Sequence, residues 1–266
     1  MLTKQMIVER LNHAGIKKGD HLVVHSSLRQ IGPIDGGGDT LIDAFLEVVG
    51  KEGTIAMPSF CYTTGIPQPY FDPKNTPGRT GILTEIFRKR PETLRSFSPT
   101  HSIVAQGKRA EEFLADHLLK ESLGLDSPLD RIASAGGYIL LIGVTHIANS
   151  TIHIGEAHAK VKKYFWREGD LPKAKVLMPD GTLYEHEVDC SGSCYKAFNV
   201  LDYPIRKRGL IADLDIGDAP SYLMRGTDII NTVLELIREI PDFILCTNPE
   251  CRRCVLGRQY ALANRS

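Results

Sequence analysis

The chain reads as an α/β protein, a three-layer α/β/α fold with a largely parallel central sheet plus a C-terminal antiparallel elaboration. Three observations predict it. Short apolar runs such as Leu22-Val23-Val24 and Ile139-Leu140-Leu141-Ile142 alternate with amphipathic helical patterns through the first 160 residues. The first run ends in small polar residues, Ser26 and Ser27, as strands do where they reach a ligand. Beyond residue 162 the alternation gives way to two runs flanking Pro179-Asp180-Gly181-Thr182, a hairpin signal.

The elements follow in order. Thr3 caps a helix whose apolar residues Met6, Ile7 and Leu11 share a face and which Gly15 ends. A strand is predicted at His21–Ser27, then a Gly-rich loop over 32–40, then a helix from Leu41 to Val49 capped by Asp39 or Thr40. Further strands are predicted at Thr54–Pro58, Ser102–Ala105 and Tyr138–Val144, with helices over 82–89, 109–119 and 149–160. The hairpin Ala174–Met178 and Leu183–Val188 is read as an antiparallel addition to the main sheet. Helices near 194–202 and 221–238, a short strand Phe243–Leu245 and a Cys-bearing tail complete the pattern. Without an internal repeat or a low-complexity linker, residues 1–266 read as one domain. Its core covers about 1–160, and the hairpin, helices and Cys-rich tail about 161–266.

Composition narrows the function. The 32 basic and 32 acidic residues cancel, so no global positive field draws the chain onto nucleic acid or an anionic membrane, and neither is expected as a partner. No apolar run reaches the ~20 residues that span a bilayer, and the opening residues read as helix rather than as a secretory n-region. A cytoplasmic protein is expected, with thiols or metal ligands rather than disulfides among its cysteines.

The most informative segment is Asn149-Ser150-Thr151-Ile152-His153-Ile154-Gly155-Glu156, just beyond the strand ending at Gly143-Val144. His153 and Glu156 lie three apart on a helix and share a face, so the carboxylate can fix the imidazole tautomer. A base with a pKa near about 6.5 suits proton removal from an amine. The same pair also fits a solvated helix face, a capping interaction or a metal site. His158 does not extend it, because five residues on points about 140° away around the helix.

Other segments carry weaker signals. The glycines Gly36-Gly37-Gly38 before a helix offer backbone N–H groups to a phosphate or a thioester carbonyl, or simply make a turn. In the long irregular loop around 71–81, Asp72 pairs with a cationic amine or caps the loop; Arg95 pairs with a phosphate or with a surface carboxylate.

Taken in order, these stretches resemble the aminoglycoside 3-N-acetyltransferase family, which is distinct from the histone-type acetyltransferase superfamily. The resemblance is carried by His25-Ser26-Ser27-Leu28, Met57-Pro58-Ser59-Phe60, Phe71-Asp72-Pro73, Arg95-Ser96 with Ser98-Pro99-Thr100-His101-Ser102, Asp126-Ser127-Pro128, and Asn149 to Glu156. It implies an α/β/α fold and direct transfer from acetyl-CoA to an amino group of an aminoglycoside or a related amino sugar or amine, without a covalent acetyl-enzyme. It implies His153 as general base and Glu156 as its support. It also implies that His25, Ser26, Ser27, Leu28, Arg95, Ser96, Ser102 and Thr151 contact CoA, and that Asp72 meets the amine substrate. Where members of the family often carry His-Pro this chain has Ser98-Pro99, and the acids of the 160–225 region, among them Glu168, Asp170 and Asp189, form no recognisable arrangement. Competing readings are a zinc-dependent hydrolase and a non-catalytic CoA-fold binding protein. The 160–225 hairpin and its loops are candidates for a homodimer contact or a substrate lid.

Five of the six cysteines lie beyond residue 189. Cys246, Cys251 and Cys254 supply three ligands of a tetrahedral structural zinc, with Cys190 or Cys194 as the fourth. Reduced thiols and reversible disulfides are the alternatives.

Overall fold

The computed structural model describes residues 1–62, 68–161, 173–188 and 194–263. The elements in chain order are α1 (Lys4–His13), β1 (His21–Ser26), α2 (Leu28–Ile31), α3 (Gly37–Val49), β2 (Thr54–Pro58), β3 (Tyr70–Phe71), α4 (Ile82–Arg88), β4 (Leu94–Arg95), β5 (Ile103–Gly107), α5 (Ala110–Leu114) and α6 (Pro128–Ser134). They continue with β6 (Tyr138–Ile142), α7 (Thr151–His158), β7 (Lys173–Leu177), β8 (Leu183–Glu187), α8 (Asp202–Lys207), β9 (Ala212–Ile216), β10 (Ala219–Arg225), α9 (Gly226–Glu239) and α10 (Arg252–Ala263). Short 3₁₀ turns cover His117–Leu119, His146–Ala148 and Tyr195–Leu201.

A seven-stranded sheet of order β4-β5-β2-β1-β6-β10-β9 forms the middle layer. Its three central strands are parallel, with Val23 opposite Ala56 and Val24 opposite Leu140. β5 and β10 run against them, and β4 and β9 reverse again, so most strands share one direction. Alternation along β1 decides the layers. Leu22 and Val24 face one cluster with Leu11, Phe45 and Phe87 of α1, α3 and α4, whereas Val23 faces another with Phe113, Ile132, Ile154 and Val233 of α5, α6, α7 and α9. This is the three-layer fold expected.

Several elements differ from the sequence reading. α3 starts at Gly37, with Gly36 at the cap in a left-handed conformation (φ 76°), and neither Asp39 nor Thr40 caps it. A Cβ on Gly38 would lie 2.6 Å from Ile86, so the glycines make a turn and a close helix contact rather than a ligand cradle. The hairpin β7–β8 does not join the main sheet; it pairs with β3 in a separate three-stranded sheet. The antiparallel addition to the main sheet is β9–β10. Residues 221–225, expected as helix, are strand, and α9 begins only at Gly226. Phe243–Leu245 is a turn rather than a strand, and α10 follows it. No helix among the described residues is long and apolar enough to cross a membrane.

Candidate active site

The carboxyl ends of β1 and β2 and the segment after β6 open into a cleft of about 470 Å³, within the range of small-molecule sites. His25 and Ser26 enter it from β1, Pro58 from β2, and Asn149, Ser150 and His153 from α7 and its approach. This is where an open α/β sheet places ligands.

α7 holds His153 there because it sits unusually close to α9. A Cβ on Gly155 would lie 2.5 Å from the Cβ of Val233, so only glycine permits the approach. Ile152 and Ile154 bury on either side of His153. Glu156 is fully buried, and its Oε2 lies 2.6 Å from His153 Nδ1. Where the carboxylate accepts this bond, Nδ1 carries the proton and Nε2 keeps its lone pair. Phe198 meets the imidazole edge to face at 4.9 Å between centroids, fixing the ring from the other side. His158 turns away as expected and pairs with Asp130 at 3.0 Å.

His25 is another titratable group of the cleft. Burial pushes its imidazole down to about 4. Its Nε2 is buried and has no hydrogen-bond partner, and Thr151 Oγ1, next to the lining residue Ser150, is likewise unpartnered. Two buried polar atoms without partners beside a cleft are what a ligand would satisfy.

The remaining candidates are placed elsewhere. Ser27 precedes α2 and donates its N–H to the Ile142 carbonyl; Leu28 packs against Gly38. Arg95 spreads its guanidinium over Ser102 Oγ (3.0 Å) and the carbonyls of Pro73 (3.2 Å), Thr76 and Ser59 (3.1 Å), above the Phe71 ring. Ser96 Oγ accepts the Ile103 N–H and meets His117; Ser102 Oγ donates to the Ser59 carbonyl. These three side chains tie the loop after β3 to β5 and do not line the cleft. Asp72 accepts from the N–H groups of Lys74 (2.8 Å) and Asn75 (3.1 Å) and from the Asn75 side chain (2.7 Å). Burial acts to raise its pKa, but these bonds outweigh it and hold the carboxyl below its ordinary value. It is a loop cap outside the cleft lining.

Sequence reasoning missed the opposite wall. Phe60 and Tyr62 pack edge to face on His101, at 4.6 and 5.6 Å, and Tyr195, Phe198 and Arg253 reach the cleft from the second half of the chain. No local pattern links residues so far apart in sequence. Among the described residues the lining includes no carboxylate. Glu168, Asp170, Asp189 and Cys190 lie outside the described residues.

Fold and site together define a class: three-layer α/β/α proteins with a cleft at the strand ends, lined here by a histidine that a buried carboxylate backs. The comparisons with known proteins narrow it. A family model described as aminoglycoside 3-N-acetyltransferase matches residues 23–238. Aminoglycoside N(3)-acetyltransferase IV from Salmonella sp is 30% identical over 233 residues, covering 87% of this chain and 85% of that protein. A histidine-to-alanine variant of aminoglycoside acetyltransferase AAC(3)-IVa, solved in complex with a gentamicin, superposes with a TM-score of 0.84 at 30% identity, covering 97% of each chain. AAC-IIIb, solved as a binary complex with CoASH, superposes with a TM-score of 0.75 at 25% identity over 93% of this chain and 99% of that one. The chain belongs to the aminoglycoside 3-N-acetyltransferase family.

Proposed function

We propose that this protein transfers the acetyl group of acetyl-CoA directly to an amino group of an aminoglycoside or a related amine. The observation that carries the reading is the 2.6 Å contact between His153 Nδ1 and buried Glu156 at the edge of the strand-end cleft. The amine nitrogen attacks the thioester carbonyl carbon as His153 Nε2 takes the proton that the amine must lose; Glu156 stabilises the imidazolium so formed. A C–N bond forms, the C–S bond breaks, and the departing thiolate takes that proton from the imidazolium and leaves as CoA thiol. The relative solved with CoASH and the one solved with a gentamicin support both substrates. His25 Nε2 and Thr151 Oγ1, buried and without partners, are the polar atoms we assign to the thioester end.

Incubation with acetyl-CoA and gentamicin, followed by thiol release, tests the reading. His153→Ala is expected to lower kcat by roughly 10²- to 10⁴-fold with CoA affinity retained. An unchanged rate would remove His153 as base, and an absence of CoA binding by calorimetry would end the reading.

A second reading keeps the chemistry and changes the acceptor. A polycationic substrate needs carboxylates, and the described lining offers none but does offer the guanidinium of Arg253. An amine with fewer positive groups fits that lining better. Competition between gentamicin and a monoamine sugar for acetylation separates the two.

A further inference from the structure

Two distant segments bring four cysteines to one point. Cys194 precedes the Tyr195–Leu201 turn, Cys246 follows the turn after α9, and Cys251 and Cys254 open α10. Their Sγ atoms all lie within 4.8 Å of one another, and those of Cys194 and Cys254 are 3.4 Å apart. None of the four is in a disulfide. Sulfurs about 2.3 Å from a tetrahedral zinc lie about 3.8 Å from each other, which this envelope accommodates.

The surroundings suit thiolate ligands. The Cys246 N–H points at Cys254 Sγ at 3.4 Å, and the backbone N–H groups of Lys196 and Cys254 face the sulfurs of Cys194 and Cys251. Such donors orient and stabilise ligating sulfur. Four thiolates around Zn²⁺ leave two net negative charges. Arg252 and Arg253 sit inside the Cys-x-x-Cys, and Arg258 donates to the carbonyls of Leu245 (3.4 Å) and Cys246 (3.1 Å). Packing alone does not hold α10, since Cys254 and Gly257 are its buried residues among those described. A helix with so little burial needs another anchor.

We propose that Cys194, Cys246, Cys251 and Cys254 form a closed structural zinc site that pins α10 to the segment 194–201. Cys194 takes the fourth position that the spacing left open between it and Cys190. With four sulfurs the metal keeps no open position, so the site does no hydrolysis; it positions Tyr195 and Phe198 on one side of the pin and Arg253 on the other, all three on the cleft wall.

Metal analysis of the whole chain, purified reduced and without chelator, is expected to give one zinc per chain. Exchange for Co²⁺ is expected to produce sulfur-to-cobalt charge-transfer bands and the intense visible bands of a tetrahedral thiolate site. Cys254→Ser and Cys194→Ser are expected to lose them, and Cys61→Ser and Cys190→Ser to keep them. Wild-type protein that takes up no cobalt in this form, or a Cys194–Cys254 disulfide found by mass spectrometry, would overturn the proposal, as would loss of the signal in Cys190→Ser. None of these measurements requires an acyl acceptor, so they stand apart from the transfer assay.

Discussion

In the proposed reaction His153 and Glu156 divide one task between an imidazole at the cleft and a carboxylate with no exposure of its own. Removing the charge while keeping the shape isolates the carboxylate's share. Glu156→Gln is expected to lower kcat by roughly 10²-fold or more with little change in KM, and to move the pH–rate profile, which a packing defect would not do. His25 gives a different signature, in stability. Its pKa in the fold, about 4, lies below the ordinary 6.5, so between those values the unfolded chain binds a proton that the folded chain refuses. Stability therefore falls as pH drops through that window, by up to about 1.4 kcal/mol per pH unit. Thermal unfolding across the window is expected to show a shallower slope for His25→Gln. At this scale the His153–Glu156 contact was legible because both members lie within one helical turn. The roles of Asp72 and Arg95 were not, because the carbonyls and N–H groups that occupy them belong to loops whose course no spacing rule predicts.

The packing of α7 on α9 makes a test of helix geometry rather than of helix propensity. Alanine favours a helix over glycine by about 1 kcal/mol, yet Gly155→Ala is expected to destabilise by about 1–3 kcal/mol, because the new methyl would fall 2.5 Å from Val233. Added Val233→Ala is expected to restore part of the loss, and urea unfolding of the three variants measures it. Arg95 braces β4 and β5 against the loop after β3. Arg95→Lys, which keeps one charge but cannot reach its several acceptors, is expected to cost on the order of 2–4 kcal/mol while leaving CoA affinity unchanged; a reversed pattern would return Arg95 to the cofactor. Strands of the first half were readable because burial on both faces makes them continuous apolar runs. β10 was not. Ser221 and Leu223 alternate as a strand should, but they run into the strong helical period of α9, and Gly226 marks the join only through its closeness to Ala133.

The whole molecule is completed by its last third. β10 covers the edge of β6, and α9 covers the face of α7 that carries Gly155. A fragment of residues 1–161 would expose both, and is expected to aggregate or to show no cooperative unfolding by circular dichroism even though it holds the dyad. The layered architecture was visible in the sequence as alternation of strand and helix. The meeting of Tyr195, Phe198 and Arg253 with His153 was not, since it depends on chain closure across segments far apart in sequence. That meeting also bears on how such a protein changes over generations. The proposed proton handling rests on α7 and the sheet, where nearly every neighbour is buried and a replacement disturbs the whole core. The facing wall hangs instead on a short turn and the start of a terminal helix. On the proposed reaction, substitutions in that wall would alter what is modified while disturbing the buried residues around His153 least.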